Sequence, residues 1–544
     1  MNGCRVPMRI ILLLSALFVA GVISLSTWAW LGRSVDLPDV PSGRLECLSY
    51  TPTIGNSSPL DKNLTAPISL LESDIERLKQ ITQCIRTYSS LRAEGDVVPV
   101  AARAGLKILL GIWISTNEQA NAKEIERALQ LSTAYPEAIR ALVVGNEVLL
   151  RREMSGKKLA SIIREVKARA RHPVTYADIF EFWRRNPMVM EAVDIVTLHV
   201  LPYWDDPTPV TIDIVQAHVR GIIDTARQTF PGKPLQIGEI GWPSVGRTRG
   251  GAAPTLVNAA RFVREFAASA STIGLPYNLI EAVDQPWKRL PEGTVGGYWG
   301  ILDKDRVAKF PLAGPVSEWP DWEFGAAFSF GVAVLALAWA AQKCTALSGA
   351  RWGLIALTGS VVGSSLWAWF DQVRLTSLGW LGWVWGSYLT VFTVIAALLL
   401  IRLAVGDLAV GKSSLPSLAE TLSRPRGLGL FRWATLIPAA VVVLLAAIDG
   451  RHRDFLTLAY WMPALVLLML DRANADSQVS NRRDEAWLGV LFILGGVFAL
   501  DGLTNYEAMV WLVCALMLAF PLLPRTRAEA HRLAVLINCS QSKV

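Results

Sequence analysis

Residues 234–246 read PLQIGEIGWPSVG. The apolar run through Ile237 has the length and content of a buried β-strand. Gly241, Trp242 and Pro243 then stop it at once. Glu239 is left at the C-terminal end of that strand, a charge among residues that seek burial. An uncompensated buried carboxylate is costly, so the group needs a partner, a shifted pKa or a chemical role.

The same figure recurs through residues 32–322. Short apolar segments at 45–50, 84–88, 106–114, 140–146, 173–178, 194–201, 234–239 and 277–283 alternate with amphipathic helical stretches. One helix is expected over 155–171, with Ser155 as N-cap, and another over 254–273, with Pro254 near its start and Gly274 just past its end. Eight such units in one stretch predict a (β/α)8 TIM barrel. No G-x-G-x-x-G follows the first strand, which argues against an open dinucleotide-binding sheet. Polar residues gather where the strands end: Arg86 and Tyr88, Asn146 and Glu147, Asp178, Tyr203, Glu239, and Glu281 with Asp284. Catalytic groups of a barrel sit at those ends.

The remainder of the chain is of a different kind. Of 544 residues, 52% are hydrophobic and only 18% charged, and the excess apolar content lies in residues 323–523 and in Ile10–Leu31. The first run is read as a membrane anchor, residues 1–31, with a signal peptide as the alternative. Seven further runs, near 324–341, 352–370, 379–401, 431–448, 455–470, 486–500 and 506–523, predict an all-α polytopic transmembrane domain over 323–544 with a cytoplasmic tail. Arg5, Arg9, Lys343, Arg351, Arg402, Lys412, Arg424, Arg426, Arg432, Arg472, Arg482, Arg483, Arg525, Arg527, Arg532 and Lys543 fall on one side of the alternating segments, and only Arg374, Arg451 and Arg453 on the other. That bias puts the N-terminus inside and residues 32–322 outside the cytoplasmic membrane, facing the periplasm. Topology accounts for much of the +7 net charge, so no nucleic-acid partner is called for. Cys47 and Cys84 lie on adjacent predicted strands in the outer domain, where they are either a disulfide or two small core residues. No cysteine or histidine spacing suggests a metal.

Glu147 ends the fourth predicted strand in VVGNEV and Glu239 ends the seventh, so the two face each other across a barrel mouth. Opposed carboxylates are what glycosidic bond cleavage requires: about 5–5.5 Å apart for retention through a covalent intermediate, about 6.5–9.5 Å for inversion. The domain resembles glycoside hydrolase family 17, the β-1,3-glucanases and β-1,3-glucanosyltransferases. VGNEV at 144–148 matches that family's acid/base motif and GEIGWPS at 238–244 its nucleophile motif. CIRTYS at 84–89, HVLPYW at 199–204, EAVDQPWK at 281–288 and GYWGILD at 297–303 resemble its second-, sixth- and eighth-strand blocks. The resemblance implies Glu147 as acid/base and Glu239 as nucleophile. The domain is compact, without long subsite-building loops, and His199 stands where many relatives have a small polar residue.

Around the pair, Arg86 is placed to hold Glu239 ionised or simply to brace the barrel. Tyr88 belongs to the same second-strand segment. Asn146 is placed to bind a sugar 2-hydroxyl, and Tyr203 to donate to Glu239 or to stand on the rim. Trp204, Trp242, Trp287 and Trp299 are sugar platforms or core, while Glu281 and Lys288 line the cleft or a solvated rim. The outer domain with its multispan tail also resembles bacterial proteins labelled β-(1→6)-glucan synthase. No cytoplasmic block has room for a nucleotide-sugar transferase, so remodelling of a glucan made by a separate membrane glucan synthase is the expectation. The expected partners are thus a β-glucan chain, that synthase and the lipid bilayer, with no cofactor. The alternative is an inactive glucan-binding or export-guiding membrane protein.

Overall fold

The computed structural model describes residues 5–523 apart from 62–63, 206–208, 344–346, 408–415, 426 and 474–482. The chain divides into two units, Ser34–Ser317 and a helical unit formed by Met1–Arg33 with Glu318–Val544.

The first unit is a closed barrel of eight parallel strands: β1 (Leu48–Ser49), β2 (Cys84–Arg86), β3 (Lys107–Ile112), β4 (Ile139–Asn146), β5 (Val174–Ile179), β6 (Ile195–Val200), β7 (Leu235–Ile240) and β8 (Tyr277–Leu279). Closure is made by β1 and β8, where Leu48 pairs with Leu279. The β-branched and aliphatic residues that alternate along these strands explain the two shells of packing. Ile108, Leu110, Leu142, Val144, Val196, Leu198, Ile237 and Ile240 join the buried layer beneath the helices. Cys47, Cys84, Leu109, Ala141, Val143 and Ala177 form a separate small cluster that fills the barrel. Cys47 and Cys84 are joined by a disulfide, which settles the choice the sequence left open.

The helices start and stop where capping chemistry allows. Gly156–Arg169 begins after Ser155, whose side chain accepts from the Lys158 N–H. Leu256–Ile273 is capped by Thr255, one residue beyond Pro254, and ends on Gly274 at φ 59°. The eighth strand is shorter than its apolar run. Past Leu279 the backbone keeps single hydrogen bonds to its barrel neighbours, the Ile280 N–H donating to the Ile240 carbonyl and the Ala282 N–H to the Ser49 carbonyl, and also pairs with residues 299–302, the Glu281 N–H donating to the Trp299 carbonyl. A two-residue antiparallel pair, Ser34–Val35 with Val316–Ser317, ties the two ends of the unit together.

In the helical unit, five helices are long and apolar enough to cross a membrane: Met8–Leu31, Trp322–Lys343, Gly349–Thr376, Gly379–Val405 and Gly427–Ile448. Three further helices, Thr457–Ala473, Arg483–Phe498 and Tyr506–Ala519, have 17, 16 and 14 residues. Those lengths fall short of the ~20 residues that span a bilayer core. Gly359 and Gly363 lie against the neighbouring helix so closely that a Cβ would stand 2.5 Å from Ala333 Cα and 2.7 Å from Ser329 Cα. Small residues there let two helix backbones approach. The expected tail, residues 524–544, lies outside the described residues.

Candidate active site

The site is built at the C-terminal ends of β2, β4, β6 and β7. Regular alternation along β7 would turn Glu239 away from the barrel, because Ile237 already faces the helices. The ladder between β6 and β7 shifts register between Leu198 and His199, so that Leu198 pairs with Ile237 but His199 with Glu239. One extra residue at Gly238 therefore lets Ile237 and Ile240 both pack outward while Glu239 turns inward. Glu147 reaches the mouth by a different device. It stands one residue past β4 with φ 52°, its N–H donating to the Ala177 carbonyl at 2.8 Å, and Gly145 before it has φ 88°. A non-glycine residue held in that region costs roughly 1–3 kcal/mol, a strain typical of functional positions.

Glu147, His199 and Glu239 each place one atom within 4.8 Å of the others, so oxygens of the two carboxylates approach to that distance or less. Glu239 is buried, and the Glu147 side chain keeps 23% of its exposure. Arg86, itself 1% exposed, supplies the positive charge a buried carboxylate needs. Its Nη1 donates to Glu239 Oε1 at 3.2 Å and to the Gly238 carbonyl at 2.7 Å, and its Nη2 donates to Asn146 Oδ1 at 2.6 Å. The spacing of the three clustered residues is also one a metal ion could use. The guanidinium already provides the cation at that point, and a second one would be repelled. Burial pushes the Glu147 carboxyl up, but the hydrogen bond to His199, with the charges of Arg151 and Arg86, outweighs it and holds the group below its usual value.

Arg86→Met should therefore lower the stability of the folded protein by about 3–5 kcal/mol, because it leaves Glu239 buried without a counter-ion. Denaturant or thermal unfolding of the full chain checks it, and an unchanged melting temperature refutes it.

The remaining predicted residues separate into groups. Tyr88 lies over Arg86, with the guanidinium carbon 4.7 Å from its ring centre, and donates its hydroxyl to Ser49. Burial, then the neighbouring Glu239 charge, pushes its hydroxyl well above the ordinary value. Tyr203 is fully buried and donates to the Arg247 carbonyl at 2.7 Å, so its one hydroxyl hydrogen is directed there rather than at Glu239. Trp242 is core, packed on Phe262 and donating to the Ala253 carbonyl. Trp299 is buried too, and Trp204 stacks on it at 6.4 Å with its own ring half-buried. Trp287 is half-buried, its ring N–H donating to Gln285. Glu281 and Lys288 form a buried ion pair at 2.7 Å. Burial raises Glu281 to about 7 even against that lysine, and Asp284, paired with Lys309, to about 6.

Two side chains gained a place at the site that motif reading did not give them. Trp113, just past β3, lies half-buried under Arg151, whose guanidinium carbon is 4.3 Å from its ring centre. His199 was visible only as a departure from the family pattern. In the fold it is buried between both carboxylates, with Nδ1 2.8 Å from Glu147 Oε1 and Nε2 3.6 Å from Glu239 Oε1.

Residues 47–300 match the family model of the BtgE/BtgC glycoside hydrolase domain. A glucan 1,3-beta-glucosidase of Candida albicans is 25% identical over 280 residues, covering 46% of this chain and 89% of that protein. A glucan 1,3-beta-glucosidase of Arthroderma benhamiae is 28% identical over 257 residues, covering 44% and 82%. Among solved structures, a glycoside hydrolase family 17 β-1,3-glucanosyltransferase from Rhizomucor miehei aligns at 24% identity and TM-score 0.43, covering 49% of this chain and 96% of that one. The matched segment runs from the disulfide-bonded Cys47 to Gly300 and so takes in all eight strands and both carboxylates. The barrel unit of this chain is thus similar, along most of its length, to the BtgE/BtgC glycoside hydrolase domain.

Proposed function

We propose that the barrel is a retaining β-1,3-glucan-active enzyme, a glucanosyltransferase or hydrolase working through a covalent glycosyl-enzyme intermediate. The observation that carries the reading is the approach of the Glu147 and Glu239 oxygens to within 4.8 Å, nearer the close spacing of retaining enzymes than the wider spacing of inverting ones. The named activity of the fungal relatives supports the substrate.

In the first step Glu147 gives its proton to the glycosidic oxygen as a Glu239 oxygen bonds to the anomeric carbon and the C–O bond breaks. In the second, an acceptor hydroxyl attacks that carbon, Glu147 takes the acceptor's proton, and the ester to Glu239 opens. Water as acceptor gives hydrolysis, and a sugar hydroxyl gives transfer. Asn146 is held by Arg86 through its carbonyl oxygen, which leaves its NH2 to meet the sugar 2-hydroxyl. Trp204 and Trp287 present half-buried faces on which a pyranose ring can pack. Glu281 and Lys288 border the same mouth. Among the described residues one buried oxygen of Glu281 has no hydrogen-bond partner, a group suited to receive a sugar hydroxyl.

The five long apolar helices support a bilayer-embedded protein, read here as sitting in the cytoplasmic membrane with the barrel facing the periplasm. There it would remodel chains released by a separate membrane synthase. The test is incubation of the full-length protein, in detergent or nanodiscs, with laminari-oligosaccharides. Products longer or branched are expected for transfer and shorter ones for hydrolysis, with the β-anomer formed first in either case. An α-anomer as first product overturns the retaining mechanism, and binding without turnover would make the barrel a glucan-binding module.

A further inference from the structure

His199 is a third polar group in the mouth, and its surroundings leave it little freedom. The side chain has no exposed surface. The ring lies on the backbone of Gly238, where a Cβ would stand 3.0 Å from Cδ2 and 3.1 Å from Nε2. Four charged or titratable groups face it, each from a different strand: Arg86 from β2, Glu147 beyond β4, Asp178 from β5 and Glu239 from β7. Arg151 acts on the same Glu147 from the far side. Arg86 Nη1 is 3.5 Å from His199 Nε2. A guanidinium has donors and no acceptor, so a hydrogen on Nε2 would be directed at a cation. That leaves the ring hydrogen on Nδ1, where it donates to Glu147 Oε1 at 2.8 Å.

We propose that His199 is a positioning residue that fixes Glu147 by donating from Nδ1 to Oε1, so that Oε2 is the oxygen that carries the proton to the glycosidic bond and later receives the acceptor's proton. The arrangement serves both half-reactions. While Glu147 is protonated, the donated bond keeps its O–H turned away from the imidazole and toward the substrate. Once Glu147 has given up its proton, the same bond stabilises the carboxylate that must wait for the acceptor. Gly238 is part of the device, since any side chain there would displace the ring.

This inference rests on the reading of Glu147 as acid/base, and the experiment separates the two. The measurement is kcat/KM against pH for laminari-oligosaccharide turnover by the full-length protein. The variants are His199→Phe and His199→Ala, which remove the donor, and His199→Asn, whose neutral amide N–H can take the place of Nδ1–H. The free enzyme must hold Glu147 protonated, so activity is lost as pH rises through the Glu147 pKa. A donor to the carboxylate lowers that pKa, so removing it moves the high-pH limb to higher pH. The Phe and Ala variants should show that displacement together with a loss of about tenfold to a hundredfold at the optimum. His199→Asn should lie nearer to wild type in both. A purely structural role would lower the rate at every pH and leave the limb in place. An unmoved limb in both donor-deleting variants therefore overturns the role of His199 alone. A wild-type protein without turnover overturns the enzymatic reading and this role with it.

Discussion

Glu239→Gln should reduce turnover of laminari-oligosaccharides by about 10⁴-fold or more, equivalent to roughly 5 kcal/mol of lost transition-state stabilisation. The amide keeps the shape of the carboxylate, and its carbonyl oxygen can still accept from Arg86 Nη1, which now lies 3.2 Å from Oε1. What disappears is the charge and nucleophilicity that the proposed attack on the anomeric carbon requires. The fold should be weakened, because Arg86 loses its charged partner, but the retained hydrogen bond should let it persist while chemistry does not. The check is initial rate beside a thermal melt of the same preparation. A variant that keeps more than about a tenth of wild-type activity would remove Glu239 from the nucleophile's role, whatever its melting temperature.

Glu147→Ala should cost about 10²–10⁴-fold on the same substrate, the usual contribution of a positioned general acid or base. The loss should depend on the leaving group. An aryl β-glucoside with an acidic phenol departs without protonation, so with such a donor the first step should be nearly normal and the intermediate should accumulate. Azide, which needs no base to attack, should then release it as the β-glycosyl azide. An α-azide, or no effect of azide at all, would show that Glu147 does not act opposite Glu239 on one anomeric carbon. The structure sharpens this expectation, because Glu147 retains some exposure while Glu239 is buried against Arg86. Alanine at 147 opens a path for a small anion, and its removal leaves no buried charge unpaired on the Glu239 side.

The two carboxylates were legible in the sequence because each follows an apolar run at once, and the chain order of eight such runs fixes which strands face one another. The barrel itself was legible for the same reason, since a period-two apolar pattern alternating with amphipathic helices has few ways to bury both. The partners of those carboxylates were harder to see. Arg86 lies far from Glu239 in sequence, and its two-pronged grip on Glu239 and Asn146 appears only when β2, β4 and β7 are brought to one rim. The four tryptophans looked alike as residues. Packing sorted them, putting Trp242 and Trp299 into the core and leaving Trp204 and Trp287 with usable faces. Tyr203, expected near Glu239, proved to brace the Arg247 carbonyl from a fully buried position. In the helical unit, composition showed where apolar helices lie but not their length. Three of them end short of a full span.

The sequence by itself thus determined the (β/α)8 architecture, the change to an apolar helical region and the identity of the opposed pair, because periodicity, hydropathy and strand order are local or additive properties of the chain. Tertiary structure alone decided the disulfide, the inward turn of Glu239 and the bridging of both carboxylates by His199. Each of these depends on inter-strand register, which brings Leu48 opposite Ile85 beside the two cysteines and shifts at His199 opposite Glu239. A one-residue slip in register exchanges the faces of a strand, and no single strand's sequence records where its neighbour slips.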